Sequence, residues 1–145
     1  MSTRITLSEA IKFHGHLGPY LILGILAGEL ALRRMGYKKF FDLEIKVWGA
    51  NKKPKSCLID GLQLSTGATY GKGNIHKLDG SKIKIAFFHS HNNKKFILRF
   101  TESLIQRLEE AKTHRGSELL AKKLYKIDSH KLFNLQLIPR HINSG

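Results

Sequence analysis

The stretch from Pro19 to Met35 is apolar nearly all the way round: Leu21, Ile22, Leu23, Ile25, Leu26, Leu30 and Leu32 leave no broad polar stripe at a helical period. A helix without a polar face must be covered on more than one side. The ends of this one are well marked. Pro19 suits a first helical turn, Gly36 suits a C-terminal cap, and Arg33 and Arg34 sit at the negative end of the helix dipole. In a chain of 145 residues such a helix is either the centre of a single domain or also a subunit interface. Gly24 and Gly28, with Ala27 and Ala31, let another backbone come close. The helix does not read as a membrane span. The longest stretch free of charge and histidine, Leu17 to Gly28, falls well short of the ~20 residues required.

Around this helix the pattern predicts one α+β domain over residues 1–145 with a mostly antiparallel sheet. Thr6 or Ser8 caps a short first helix that runs through Phe13. Leu43 to Trp48 alternates as a strand, and Asn51 to Ser56 is a loop. Cys57 to Leu64 is ambiguous, although as a helix it would put Cys57, Asp60, Gly61 and Leu64 on one face. Thr66 to Asn74 reads as a loop. Ile75 to Leu78 and Lys82 to Phe88, joined through Asp79-Gly80, predict a β-hairpin, which Lys95 to Phe100 extends past Asn92-Asn93. Thr101 opens a helix with Leu104, Ile105 and Leu108 on its face, and Ser117 opens another over Glu118 to Tyr125. Phe133, Leu135 and Leu137 alternate as an edge strand.

A single cysteine excludes an intramolecular disulfide and suits a reducing compartment. The first twelve residues contain no continuous apolar core of a secretory signal, so the expected location is cytoplasmic. The net charge of +14 comes from small groups of Lys and Arg spread over the whole chain, without an aromatic-interleaved patch or a helix-turn-helix pattern. It reads first as a solvated basic surface, with nucleic-acid binding as the alternative.

Two blocks carry candidate chemistry. Phe13-His14-Gly15-His16-Leu17-Gly18-Pro19 holds two imidazoles at i and i+2. On a helix that spacing splits them, whereas in a bend or extended segment they point to one side. Cys57 supplies a thiol, with Asp60, Gln63 and Thr66 following at three-residue intervals. Two imidazoles and one thiolate suit zinc or a similar divalent transition metal and leave one coordination position open. Asp60 then serves as a partner to a ligand or as an extra ligand. The run Gly67 to Asn74 resembles a phosphate-binding loop but fails it, since the glycine spacing is one residue short and glycine follows Lys72. A backbone nest for a small anionic ligand, with Thr66, Thr69 and Lys72, stays open beside a plain tight connection. His89 and His91 form a second His-x-His with no adjoining thiol or carboxylate cluster, and read as surface residues.

These two blocks, from Phe13 to Pro19 and from Ser56 to Asn74, resemble the FmdE domain family of formylmethanofuran dehydrogenases over about residues 5 to 100, with little signal in 101–145. The resemblance implies an α+β domain, commonly a homodimer, with zinc near the His-Gly-His and Cys57 blocks. It does not imply formylmethanofuran oxidation, which relies on separate tungsten or molybdenum proteins. Family members commonly carry a cysteine where this chain has Ala68, so one ligand or reactive thiol of the family is missing. Longer members add a cysteine-rich zinc ribbon with no counterpart in these 145 residues.

The leading expectation is a metal-binding FmdE-like domain in which His14, His16 and Cys57 hold the ion, supported by Asp60 and Gln63. One alternative is a metal-dependent hydrolase or transferase, for which Asp60 or a spare histidine is the only visible general base. The other is a basic nucleic-acid-binding module.

Overall fold

The computed structural model describes residues 4–36, 43–89 and 94–139. The first helix, α1 (Leu7–His14), is closed at its start by a reciprocal pair: Thr6 Oγ1 accepts from the Glu9 amide, and the Glu9 carboxylate accepts from the Thr6 amide. It ends at Gly15, whose φ of 101° lies in the left-handed region. After a bend of 119° the chain enters α2 (Pro19–Met35).

Helix α2 is the centre of the domain, not a surface waiting for a partner. Every residue from Leu21 to Gly28 is buried, as are Leu30 and Ala31. It packs on α3 (Cys57–Thr66), on α5 (His114–Tyr125) and on the sheet. The closest approach is to α3, at Gly24 and Gly61. A Cβ added to Gly61 would lie 2.1 Å from the Leu21 carbonyl oxygen, and one added to Gly24 would lie 2.2 Å from that of Leu58. The two backbones therefore touch. Ser65 seals the contact, since its hydroxyl lies 2.9 Å from the Gly61 carbonyl oxygen and 3.3 Å from that of Gly24 on α2.

The sheet contains β1 (Leu43–Trp48), β2 (Ile75–Leu78), β3 (Lys84–His89), β4 (Lys94–Phe100) and β5 (Phe133–Pro139), in the order β2-β1-β3-β4-β5. It is mostly antiparallel, with one parallel pair between β1 and β2. Ile45 and Val47 of β1, Ile85 and Phe87 of β3, and Phe96 and Leu98 of β4 share one core with α2. Helix α4 (Glu102–Glu110) and a short 3₁₀ turn, Ser129–Lys131, complete the elements.

Two expectations from the sequence are overturned. Ile75–Leu78 and Lys84–His89 do not form a hairpin, because β1 lies between them and pairs with both. Gly80 does not adopt positive φ. A Cβ there would come within 3.1 Å of Trp48 Cβ, and the Asp79 carboxylate accepts from Asn51 Nδ2 at 2.6 Å. The Asp-Gly pair thus serves close packing against the end of β1, not a two-residue turn. The second correction concerns α5, which starts at His114 because Thr113, not Ser117, caps it. The Thr113 hydroxyl accepts from the Gly116 amide, while the Ser117 hydroxyl donates back to Ala111. Cys57 to Leu64, ambiguous in sequence, is a helix, and it runs on through Thr66, which the sequence assigned to the loop. His91 and Asn92-Asn93 lie outside the described residues. Among those described, no single helix is long and apolar enough to cross a membrane.

Candidate metal centre

The last turn of α1, the bend that follows it and the first turn of α3 converge. Cys57 opens α3, and the backbone contact at Gly24 and Gly61 holds that helix against α2. His14 is the last residue of α1, and Gly15 turns the chain so that His16 comes round to the same side. The two imidazole centroids lie 4.5 Å apart, inclined at 47°. One donor atom from each of His14, His16 and Cys57 falls within 4.8 Å of the other two.

Hydrogen bonding orients one imidazole of the group, and burial acts on the thiol. His14 Nδ1 lies 2.5 Å from Asp60 Oδ2. A carboxylate only accepts, so Nδ1 carries a proton, and any metal would have to be met by the lone pair of Nε2. That Nε2 is buried and has no hydrogen-bond partner among the described residues. Buried polar atoms are rarely left unpaired, because doing so costs about 1–3 kcal/mol. Asp60 is itself fixed, with Gln63 Nε2 donating to its Oδ1 at 3.3 Å. Gln63 Oε1 in turn accepts from the Tyr70 amide. Burial pushes the Cys57 thiol up, the Asp60 charge adds to that, and Lys53 opposes it. A metal bound there would displace this proton.

The remaining sequence candidates are placed differently. Thr66 is buried, with its hydroxyl donating to the Leu62 carbonyl and accepting from the Ala68 amide. Thr69 Oγ1 accepts from the Lys72 amide, and the Thr69 amide donates to Asn74 Oδ1. These groups organise their own loop. Ala68 is buried beyond the C-terminal cap of α3. From Cys57, ten helical residues carry the chain roughly 14 Å along the axis. A cysteine at position 68 would therefore stand at the far end of α3, away from the donor cluster.

A cleft of about 1160 Å³ opens beside the cluster, and its walls include His16 and Cys57 but not Thr66, Thr69 or Lys72. It also takes in Tyr20, Trp48, Lys84 and Arg99, none of which the sequence marked as functional. The only local signal for the last three is strand alternation. What brings them together is pairing among three strands distant in sequence.

Comparison with known proteins agrees with the motif and the fold. Residues 13–136 match the family described as "FmdE, Molybdenum formylmethanofuran dehydrogenase operon". The chain is 34% identical over 83 residues to a "Probable S-adenosyl-L-methionine-binding protein" from Archaeoglobus fulgidus, covering 55% of this chain. It spans only 22% of that relative's length. The crystal structure of a "tungsten formylmethanofuran dehydrogenase subunit e (fmde)-like protein" from Syntrophus aciditrophicus shares the fold, with a TM-score of 0.61 at 18% identity. That likeness covers 98% of this chain and 79% of the other. With the family match running from the His-Gly-His run to the last strand, the chain belongs to the FmdE family.

Proposed function

We propose that this chain is a metal-binding FmdE domain in which His14, His16 and Cys57 hold zinc or a similar divalent transition metal. One observation carries the reading: His14 Nε2 is buried without a partner among the described residues while Nδ1 of the same ring is held by Asp60. A lone pair fixed in direction, left unpaired and grouped with a second imidazole and a thiol suits a borderline-soft cation. With three protein donors, the ion would act as a Lewis acid with a position open to a ligand. His16 is exposed and lines the cleft with Cys57, so that position is reachable from solvent.

Metal analysis of protein purified without a histidine tag tests the proposal. A stoichiometric divalent metal is expected, lost in the double variant His16→Ala, Cys57→Ala. Metal content unchanged in that variant would sink the site.

Asp60 is a poor general base for the hydrolase alternative, since one oxygen is engaged by His14 and the other by Gln63. A binding role is therefore the better reading. We place the protein in a reducing, cytoplasmic setting, where Cys57 stays a thiol ready for metal. A homodimer, as the family resemblance suggests, would use a face other than α2, whose apolar residues from Leu21 to Ala31 are buried within one chain. Light scattering should give the mass of two chains, and a monomer mass at assay concentration would remove that assignment.

A further inference from the structure

We infer that the cleft beside the donor cluster binds a small polyanion, one bearing phosphate or several carboxylate groups, on a seat built by Lys84 and Arg99. This ligand class belongs to the open side of the proposed metal centre, and rests on that reading only for what the ligand would face, not for how it is held.

Strand register makes the seat. Trp48 of β1 pairs with Lys84 of β3, Lys84 with Arg99 of β4, and Arg99 with Asn134 of β5. Directly paired residues point to the same side of a sheet, so these four side chains form one cross-strand row, and all four line the cleft. Lys84 and Arg99 are therefore like charges set opposite each other, an arrangement that destabilises a sheet when nothing neutralises it. Among the described residues neither has a carboxylate partner. Arg99 reaches only the neutral Gln136 Oε1, at 3.3 Å, and Lys84 Nζ lies over the Trp48 ring, 4.2 Å from its centroid.

The rest of the cleft keeps the same sign. Beyond the seat, three lysines, Lys55, Lys82 and Lys112, line it against two glutamates, Glu102 and Glu109. One of the two, Glu109, acts on Tyr20, where burial first and the glutamate charge second push the phenol up and keep it a hydrogen-bond donor. At about 1160 Å³ the cleft exceeds what a single inorganic ion needs, and His16 and Cys57 also line it. A ligand with two or more anionic groups answers this arrangement. One group sits between Lys84 and Arg99, where an Arg fork and a Lys point charge both suit phosphate or carboxylate, and the remainder extends along the cleft.

Trp48 is the only tryptophan in the chain, so its fluorescence reports on this row. Metal-loaded protein is titrated with inorganic pyrophosphate and, separately, with citrate, followed both by Trp48 emission and by calorimetry. Saturable binding of at least one is expected, and preference between them tells a phosphate ligand from a polycarboxylate. The double variant Lys84→Gln, Arg99→Gln should weaken binding roughly tenfold or more. The double variant Lys122→Gln, Lys123→Gln removes the same charge from α5, where neither residue lines the cleft, and should leave affinity unchanged. Equal loss in both variants would mean attraction to the net charge alone and overturn the seat, as would no saturable heat with either anion. The His16→Ala, Cys57→Ala protein separates the two proposals: it should lose metal yet keep a polyanion site sensitive to Lys84 and Arg99.

Discussion

Gly61→Ala is expected to destabilise the protein by about 3 kcal/mol or more, a large share of the ~5–15 kcal/mol that holds a domain folded. The sign is not obvious from propensity. Alanine in mid-helix is favoured over glycine by about 1 kcal/mol, so a substitution in open space would stabilise α3. Contact decides the matter. The added Cβ would fall 2.1 Å from the Leu21 carbonyl oxygen, 2.7 Å from the Ile25 nitrogen and 2.8 Å from the Gly24 Cα, all backbone atoms of α2. None of these can swing aside as a side-chain end would, so the helices must part along the contact at the centre of the core. Gly24→Ala should behave alike, since its Cβ would meet the Leu58 oxygen at 2.2 Å and the Gly61 Cα at 2.9 Å. Both methyl groups compete for one gap, so the double variant should cost less than the sum of the singles. Urea midpoints of the four proteins check this. A stabilised Gly61→Ala, or strict additivity, would contradict a backbone-to-backbone contact. Metal affinity should fall together with stability, because parting α2 from α3 draws Cys57 away from His16.

That contact also shows how far sequence reading reaches in this chain. The bounds of α2 and β1 were legible because apolar periodicity, a proline, a glycine and strand alternation are local signals. The small residues at Gly24 and Gly28 announced a close neighbour without naming it, since the partner Gly61 lies in a segment whose own pattern was ambiguous. The predicted hairpin failed for a related reason. Asp79-Gly80 is good turn chemistry, but pairing is settled by which strand best completes the sheet, and β1 takes β2 in parallel and β3 antiparallel. Local turn propensity carries no information about that competition.

The site divides along the same line. His14, His16, Cys57 and Asp60 are ordinary metal-ligand chemistry at suggestive spacing, visible without a fold. The row Trp48, Lys84, Arg99 was not visible, because each residue alone is a strand residue facing outward. Only register makes them neighbours. The glycine-rich loop left two readings open in sequence, a nest for an anion and a plain tight connection. In the fold the Thr66 and Thr69 hydroxyls and the Ala68, Thr69 and Lys72 amides are engaged within the loop and with the end of α3.

The second large effect is expected at His14, where deletion and adjustment should separate cleanly. His14→Ala removes a donor whose Nε2 is already buried and directed, and should reduce metal binding to the level of the His16→Ala, Cys57→Ala protein. Asp60→Asn keeps the side-chain size, and an amide oxygen can still accept from Nδ1, but the negative charge behind the ring is gone. Partners of this kind tune affinity by about 10–100-fold, or roughly 1.4–2.8 kcal/mol. Removing that charge also lifts one of the two influences that push the Cys57 thiol up. The easier thiolate would offset part of the loss from His14, which places Asp60→Asn toward the lower end of the range. Competition with a chelator of known affinity measures the loss. A metal-dependent rise in melting temperature gives an independent readout, because a ligand that binds only the folded state stabilises it by mass action. Affinity unchanged in Asp60→Asn would mean that the 2.5 Å contact with His14 serves the packing of α1 on α3 and not the metal. Loss as complete as in His14→Ala would make Asp60 a ligand itself, with His14 its neighbour.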